Sequence, residues 1–375
     1  MGILTRTIAN KLGQNPNPGV NFRNIIINGD MSIAQRATSK TGITADGFYT
    51  CDRWKLGIGS FGTWTQSQAD DSPPNHFVSQ CIKMDCTTAQ ASPGASTSIL
   101  LEYSIEGQHL QEICQGTADA KQTTLSFWHK HTKTGINTVE LLDADNANAV
   151  SGSYTQSVSN TWEKAVITFP AHTAGAYDND NNRSLRIRFA IGKGTDLTSG
   201  TLATTWQTSI TNANRHAGQV NNADSASNNF MLAAVQYEIG PTASDFEGVP
   251  QDLTLGRCQR YYHQIYSSEG TQAFAGTLDL ANCTNYDAGQ LFCMKDLPTT
   301  MRAIPSIVQT TGTDFLLSLR AGVQDPFDGF NGVGQAGYNN IAIFTSGAEN
   351  QSGVAGGSSR VRCNAAYKLA ANAEL

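Results

Sequence analysis

The residues that could perform chemistry form a few short clusters, and the first is a pair of histidines. His129 and His131 lie two residues apart, so in a strand both imidazoles are on the same face. Copies of this pair around a three-fold axis could bind a transition metal. Polar side chains on the solvent face of a strand are the simpler interpretation, because it needs no symmetry. We therefore expect no metal ion and no cofactor.

Two acidic repeats resemble the first half of a calcium-binding loop. They are Asp143-x-Asp145 and Asp178-x-Asp180-x-Asn182. Neither continues with the glycine and the glutamate that complete an EF-hand. Asp and Asn side chains also stabilise turns by accepting hydrogen bonds from nearby backbone amides. The spacing therefore predicts turns rather than a metal site.

Paired carboxylates are the remaining candidates for catalysis. Glu102 with Glu106, or Glu238 with Glu247, could be paired as in a glycosidase. Because the chain has 31 acidic residues, such pairs carry almost no information. The motifs GxSxG and HExxH and the Walker phosphate-binding loop are absent from the sequence. We therefore predict that the protein is not an enzyme.

One polar stretch, residues 324–340, contains aromatic side chains among Gly, Asn and Asp. Aromatic rings can cover the apolar face of a sugar while Asn and Asp side chains bind its hydroxyl groups. The alternative is that the rings pack into their own domain or against a neighbouring subunit. The predicted ligand-binding residues are Phe327, Asp328, Phe330 and Tyr338.

Composition excludes several classes of partner. Of the 375 residues, 15% are charged, against about 25% in ordinary soluble domains, and the net charge is −6 with 35 glycines. Without a basic run, binding to nucleic acid is not expected. No apolar stretch approaches the roughly 18 residues of a membrane-spanning helix, so membrane insertion is not expected either.

Short β-prone segments separated by turns indicate an all-β fold. Leu185, Ile187 and Phe189 share one strand face, and Arg186 and Arg188 share the other. Strands at such spacing without helical patterns favour antiparallel sandwiches. Strands are predicted at 76–84, 96–106, 122–131, 138–142, 162–169, 185–191, 230–239, 315–319, 341–344 and 361–369, with a further strand and an Asn28-Gly29 turn within 24–36.

The chain divides at a seam near residue 250. The apolar segment 230–239 ends at the breaker Gly240-Pro241, and a short amphipathic turn precedes the next strands. We therefore place a first β-domain at 23–250 and a smaller β-sandwich at 251–375.

Residues 1–22 are predicted to be a short helical anchor followed by a linker. Ile3, Leu4, Ile8 and Leu12 form a narrow apolar stripe. A helix this short is marginal alone in water, so the stripe must pack against something else or against copies of itself. The alternatives are packing on its own domain, or disorder.

Eight cysteines are present without a CxxC pair. Free buried cysteines behave as small hydrophobic residues, and this is the main interpretation. Disulfides between Cys81 and Cys86, or between Cys283 and Cys293, would close short loops, but connectivity cannot be assigned from sequence.

Several motifs resemble the tail-fibre and minor structural proteins of tailed bacteriophages. The resemblance implies a jelly-roll first domain, similar also to carbohydrate-binding modules, followed by the C-terminal β-sandwich. Such modules often hold a calcium ion between their first and last strands, but 233–235 reads Ala-Ala-Val, so no calcium is expected at Asp30. The motifs are NGDMSIAQR (28–36), DRW (52–54), VQYEIGPTASDFE (235–247), CQRYY (258–262), PTTMRAIP (298–305) and ANAEL (371–375).

This resemblance implies a virion structural protein, a subunit of a tail fibre or another tail appendage. It would be assembled in the host cytoplasm as a homotrimer, where thiols stay reduced, and attached through its N-terminus to a tail adaptor, nozzle or baseplate. Host attachment would use binding to a host-surface glycan. The alternatives are a capsid decoration or head-fibre protein, and the carbohydrate-binding module of a carbohydrate-active enzyme.

Deletion of residues 1–15 should leave both β-domains folded but prevent incorporation into particles, because the stripe cannot stabilise either core. Thermal unfolding of the truncated and full-length proteins and their copurification with particles measure the two effects. Truncated protein that still copurifies would contradict the anchoring role.

Overall fold

Residues 39–239 form two six-stranded antiparallel sheets that pack face to face, as a jelly-roll sandwich. The computed structural model describes residues 22–267, 279–345, 353–364 and 367–375, so the predicted anchor residues Ile3, Leu4, Ile8 and Leu12 lie outside the described residues. The strands are β1 (Ser39–Ile43), β2 (Gly47–Phe48), β3 (Trp54–Gly59), β4 (Thr63–Ala69), β5 (Cys81–Thr88), β6 (Ser98–Glu106), β7 (Thr123–His131), β8 (Gly135–Asp143), β9 (Asn148–Gln156), β10 (Glu163–Phe169), β11 (Arg183–Lys193) and β12 (Asn229–Ile239).

The two sheets enclose one aromatic core. The strand order is β1-β4-β5-β12-β7-β10 in the first sheet and β2-β3-β6-β11-β8-β9 in the second. Phe127 on β7 meets Phe189 on β11 edge to face, with ring centroids 5.1 Å apart, and Trp54 lies 5.9 Å from Phe189. All three are fully buried, and each such side chain stabilises the fold by roughly 1.5–3 kcal/mol.

A second sandwich follows, with its own core. Its strands form a three-stranded sheet, β13-β22-β16, and a seven-stranded sheet, β18-β17-β21-β14-β15-β20-β19. The all-β prediction with two sandwiches is therefore confirmed. The strands are β13 (Tyr262–Ser267), β14 (Asp279–Asn285), β15 (Leu291–Asp296), β16 (Ser306–Gln309), β17 (Leu316–Arg320), β18 (Val323–Phe327), β19 (Gly332–Ala336), β20 (Asn340–Phe344), β21 (Ser358–Cys363) and β22 (Lys368–Asn372).

The short helix Gln251–Gln259 connects the two sandwiches. Its Cys258 and the following Tyr261 pack in the core of the first sandwich. The division of the chain at residue 250 stays a prediction. No helix in the described residues is long and apolar enough to cross a lipid bilayer.

One disulfide joins the neighbouring strands β14 and β15. It links Cys283 and Cys293, which lie directly opposite each other. Cys81 and Cys86 are free and buried, so the other short-loop disulfide does not form. The remaining cysteines are also free, and all of these except the partly exposed Cys114 are buried, as expected for small hydrophobic side chains.

Most predicted strands are present, but residues 24–36 form no strand. They make a turn at 27–30, where Gly29 is so close to β12 that a Cβ atom would lie 2.1 Å from the Val235 carbonyl oxygen. The pairing of β5 with β12 ends at Leu232. Beyond that point the segment lies beside β12 instead, and its Ile25 and Gly29 form backbone hydrogen bonds with Tyr237 and Val235. The sequence also missed β1 to β4, β9, β13 to β16, β18 and β19, and the strand predicted at 361–369 is divided into β21 and β22.

The contact between the sandwiches is centred on a buried arginine, Arg53. Its side chain is 1% exposed, and its guanidinium lies 3.4 Å from the ring centroid of Tyr261 and 5.4 Å from that of Tyr103. Arg53 Nη2 donates a hydrogen bond to the Ser104 carbonyl at 2.7 Å, and Nη1 forms an ion pair with Glu374. The positive charge of Arg53, in the first sandwich, is therefore neutralised by Glu374 in the C-terminal segment.

A second ion pair supports the same contact. Arg260 donates to both carboxylate oxygens of Glu106, at 2.8 and 2.7 Å, and the Tyr261 hydroxyl also donates to Glu106. Arg302 Nε donates to the Ala373 carbonyl at 2.8 Å. We name this network of Arg53, Glu106, Arg260, Arg302 and Glu374 the seam network.

Replacing Glu374 with alanine should strongly destabilise the protein, because Arg53 would stay buried without its counter-ion. Removing one partner of a buried ion pair costs about 3–5 kcal/mol. Chemical denaturation measures the change in the free energy of unfolding, and Glu112→Ala, at an exposed acid, is the matched control. Equal stability of the two variants would contradict this role for the pair.

Candidate ligand-binding groove

A groove of about 270 Å³ lies on the outer face of the second sheet of the jelly roll. It crosses strands β3, β6 and β11, and we name it the outer-face groove. The residues that line it are Asp46, Lys55, Gly57, Ile58, Gly59, Ser98, Leu100, Glu102, Arg186 and Arg188.

The groove exists because two of the three outward positions of β3 are glycines. Trp54, Leu56 and Ile58 alternate into the core, which leaves Gly57 and Gly59 facing outward. A Cβ atom at Gly59 would have nothing within 4 Å. The floor of the groove at this end is therefore bare backbone.

The glycines of β3 also belong to a GxGxxG spacing, which occurs at 57–62 and again at 332–337. In dinucleotide-binding folds this motif joins a strand to the N-terminus of a helix. Here the first stretch leads from β3 to β4 and the second from β19 to β20. Neither leads into a helix, so neither forms that kind of site.

A row of charged side chains crosses the sheet beside the groove. Lys55 lies opposite Glu102, Glu102 opposite Arg188, and Arg188 opposite Glu140. Arg188 Nε is 2.9 Å from Glu102 Oε2, and its Nη1 is 3.3 Å from Glu140 Oε2. Arg186 Nη2 also lies 2.6 Å from Glu102 Oε2. The register of four strands thus holds this charged row in place.

Glu140 is the most deeply buried acid of the row, with a side chain 0% exposed. Arg215, from the long connection between β11 and β12, covers it and binds both carboxylate oxygens. Burial raises the pKa of Glu140, but Arg215 and Arg188 outweigh burial and lower the pKa to about 2. Arg188 is therefore held between two carboxylates, those of Glu102 and Glu140.

Two polar atoms at the groove have no hydrogen-bond partner among the described residues, Glu102 Oε1 and Arg186 Nε. Glu102 is only 3% exposed. Burial raises its pKa, but Arg188 and Arg186 outweigh that effect and keep the pKa below its usual value. A buried carboxylate oxygen left unpaired is costly. Both atoms are almost inaccessible to solvent, so the accessible charges of the groove belong to other atoms of its lining, such as the exposed Asp46 and the half-buried Lys55.

The sequence-predicted ligand residues do not form a site. Phe327 and Phe330 are 0% and 2% exposed and pack edge to face in the second core, which corrects their assignment to a binding surface. Asp328 accepts the Asp314 amide at 2.9 Å, and Tyr338 is 49% exposed. Phe327 is the one buried residue of β18, and the polar residues around Phe327 and Phe330 in the sequence gave no sign that both rings are buried.

The two histidines are also buried, contrary to the prediction of a solvent face. His129 and His131 are 1% and 0% exposed and face the interior of the sandwich. His129 Nδ1 is 2.9 Å from Gln156 Oε1, and His131 stacks on Phe230 at 4.0 Å. Burial lowers the pKa of both. No group of three metal-ligating side chains occurs among the described residues.

The acidic repeats form turns, as predicted. Asp143 Oδ1 accepts the amides of Asp145 and Asn146 at 3.0 Å, and Asp180 Oδ1 accepts the Asn182 amide at 2.8 Å. These are side-chain hydrogen bonds that stabilise a turn.

The other candidate carboxylates serve structure. Glu238 binds Ser244, and Glu247 accepts the amides of Phe22 and Asn24 at 2.7 and 2.9 Å. Glu106 belongs to the seam network. Asp30 Oδ1 accepts the Ser32 amide at 3.4 Å.

Sequence reasoning did not bring Lys55, Glu102 and Arg186 together as the lining of one groove. The outward placement of Arg186 and Arg188 was visible in the alternation of β11. Their meeting with Glu102 depends on the register between β6 and β11, which includes irregularities at both ends and has no local sequence signal.

Comparisons with known proteins identify distant structural similarities only. No family model and no curated protein matches the chain. The solved structures that resemble it include the enzymatically active domain of tailspike protein 4 of bacteriophage CBA120, with 16% identity, a TM-score of 0.29, and coverage of 58% of this chain and 22% of that one.

Carbohydrate-binding modules are also among these structures. The family 11 module of a cellulosomal cellulase from Clostridium thermocellum has 13% identity, a TM-score of 0.29, and coverage of 54% of this chain and 97% of the module. A module named TmCBM61, in complex with β-1,4-galactotriose, has 10% identity, a TM-score of 0.26, and coverage of 50% and 88%. At these TM-scores the similarities carry no argument about function, which depends instead on the residues of the groove.

The pairing of Glu140 should make stability depend on pH. Its folded pKa of about 2 lies below the ordinary value of 4.5, so its contribution is complete above pH 4.5 and is lost as the pH falls towards 2. The shift corresponds to about 3 kcal/mol. Glu140→Gln should therefore be much less stable than the native protein at pH 7, with the difference shrinking as the pH approaches 2. Denaturation at several pH values measures this, and a difference independent of pH would contradict it.

Proposed function

We propose that the protein is a structural subunit of a virion tail appendage that binds a host-surface glycan in the outer-face groove. The observation that carries the binding proposal is the groove itself, whose floor is open at Gly59 and whose lining combines acidic and basic side chains. The virion context rests on the motif resemblance in the sequence.

A sugar hydroxyl group matches the mixed charges that line the groove. A hydroxyl can donate to a carboxylate such as Asp46 and accept from a cation such as Lys55. Hydrogen bonds to charged groups are stronger than those between neutral groups. A glycan with several hydroxyl groups is therefore the ligand class whose chemistry fits the groove best.

The groove is also pre-organised for binding. Glu102 is held by Arg186 and Arg188, and Arg188 is fixed by Glu140. Side chains that are already immobilised lose little conformational entropy when a ligand binds. The ion-pair row therefore supports binding without itself having to contact the ligand.

Assembly completes the proposal. A homotrimer attached through its N-terminus to a tail adaptor, nozzle or baseplate would present three grooves on one particle. Weak sites that engage together raise the apparent affinity by about 10²-fold or more. The protein acts in the virion as a binding subunit, and we assign no catalytic activity to it.

Filling the bare end of the groove should block binding while the fold is preserved. A leucine at Gly59 has open space for its Cβ atom and projects into the groove, whereas Gly256→Leu, at an equally open position on the connecting helix, is the matched control. We expect Gly59→Leu to lower affinity for glycans on an array and in calorimetry by about tenfold or more, a loss of about 1.4 kcal/mol.

Two results would count against the proposal. Glycan binding that is unchanged in Gly59→Leu would remove the groove as the site. Reducing ends released from a bound polysaccharide would contradict the absence of catalysis.

A further inference from the structure

We propose that the groove selects an acidic sugar, one that carries a carboxylate next to a hydroxyl group. This inference rests on the proposed function and names the class of glycan. It starts from Lys55, which lines the groove. Lys55 is half-buried and stands directly opposite Glu102.

Lys55 makes no ion pair among the described residues, although a carboxylate faces it across the strands. Glu102 instead uses its Oε2 atom for Arg186 and Arg188. The charged members of the lining are three cations, Lys55, Arg186 and Arg188, and two acids, Asp46 and Glu102. Glu140 and Arg215 beside the row neutralise each other. The lining of the groove therefore has one positive charge in excess. We assign this excess charge to Lys55, because Arg186 and Arg188 are both paired with Glu102.

Asp46 does not neutralise Lys55 either. Its Oδ1 atom accepts the amide of Ile58 at 2.6 Å, which ties the carboxylate to the edge of β3. A ligand carboxylate beside Lys55 would supply the missing counter-charge. Charge-assisted hydrogen bonds of this kind are about twice as strong as neutral ones.

The ligand cannot be a simple anion. The exposed carboxylate of Asp46 also lines the groove and needs a donor, which a carboxylate or phosphate does not provide. Placed against Asp46, a bare anion would be repelled. A sugar acid suits both charges, since its hydroxyl group donates to Asp46 while its carboxylate binds Lys55. A neutral sugar provides only the donor and leaves Lys55 without a counter-ion.

The test compares matched probes that differ only in the acid group. Uronic-acid oligosaccharides are used with their carboxyl-reduced counterparts, in which each carboxylate becomes a primary alcohol. Calorimetry at low and high sodium chloride measures the affinities. We expect the acidic member of the bound pair to bind about tenfold more tightly, and the preference to shrink at high salt because the ions screen partly exposed charges.

Variants identify the residue responsible. Lys55→Met should remove the preference for the acidic member, while Lys40→Met, at an exposed lysine on β1 of the other sheet, should retain it. Thermal unfolding of both variants verifies that they are folded.

The outcomes separate this inference from the proposed function. Equal affinity for the acidic and reduced probes, lost in Gly59→Leu, would overturn the acidic-sugar inference and keep the groove as a glycan site. A preference that survives in Lys55→Met would also overturn it. No binding to any probe on a glycan array would overturn the proposed function and this inference together.

Discussion

The structure depends on the buried positive charge of Arg53. A guanidinium removed from water needs an opposite charge and hydrogen-bond acceptors, because an unpaired buried charge is very costly. The first sandwich supplies the Ser104 carbonyl and the ring of Tyr103, but the carboxylate comes from Glu374, one residue before the last position. The C-terminal strand must therefore return to the first sandwich. Arg302 and Arg260 reinforce that return by binding Ala373 and Glu106.

Motifs that are far apart in the sequence meet at this contact between the two sandwiches. Gln35 of the first motif donates to the Tyr262 carbonyl at 2.7 Å, and Arg36 lies over the ring of Tyr262 at 3.6 Å. Arg53 lies in the second motif, Arg260 and Tyr261 in the fourth, Arg302 in the fifth and Glu374 in the last. Five of the six motifs that carry the resemblance to phage tail proteins therefore contribute a residue to the contact between the two sandwiches. They define an architecture, and the ligand contacts have to be found elsewhere.

Sequence patterns predicted the fold well because strand alternation is a local property. The apolar face of β11 was read correctly from Leu185, Ile187 and Phe189. The groove was not predicted, because it depends on which strands are neighbours and on their register. The histidines of β7 show a related limit: polar side chains at alternate positions suggest solvent, yet Gln156 and Tyr154 provide partners that let His129 and His131 lie in the core. Phe327 and Phe330 were predicted to be exposed because their neighbours in sequence are polar, but both rings are buried in the second core.

The seam network and the outer-face groove use charge in different ways. At the seam, Arg53 and Glu374 are almost fully buried, and each carboxylate oxygen of Glu106 has a donor. At the seam each of these charges has an ion-pair partner, although Arg53 Nε has no hydrogen-bond partner among the described residues. In the groove, Lys55 makes no ion pair within the part of the chain that the structure describes. Paired buried charges fix how the two sandwiches meet, whereas the charge of Lys55 stays uncompensated beside an open groove. The jelly roll therefore uses paired charges where it contacts the second sandwich and leaves one positive charge in excess on its outer face.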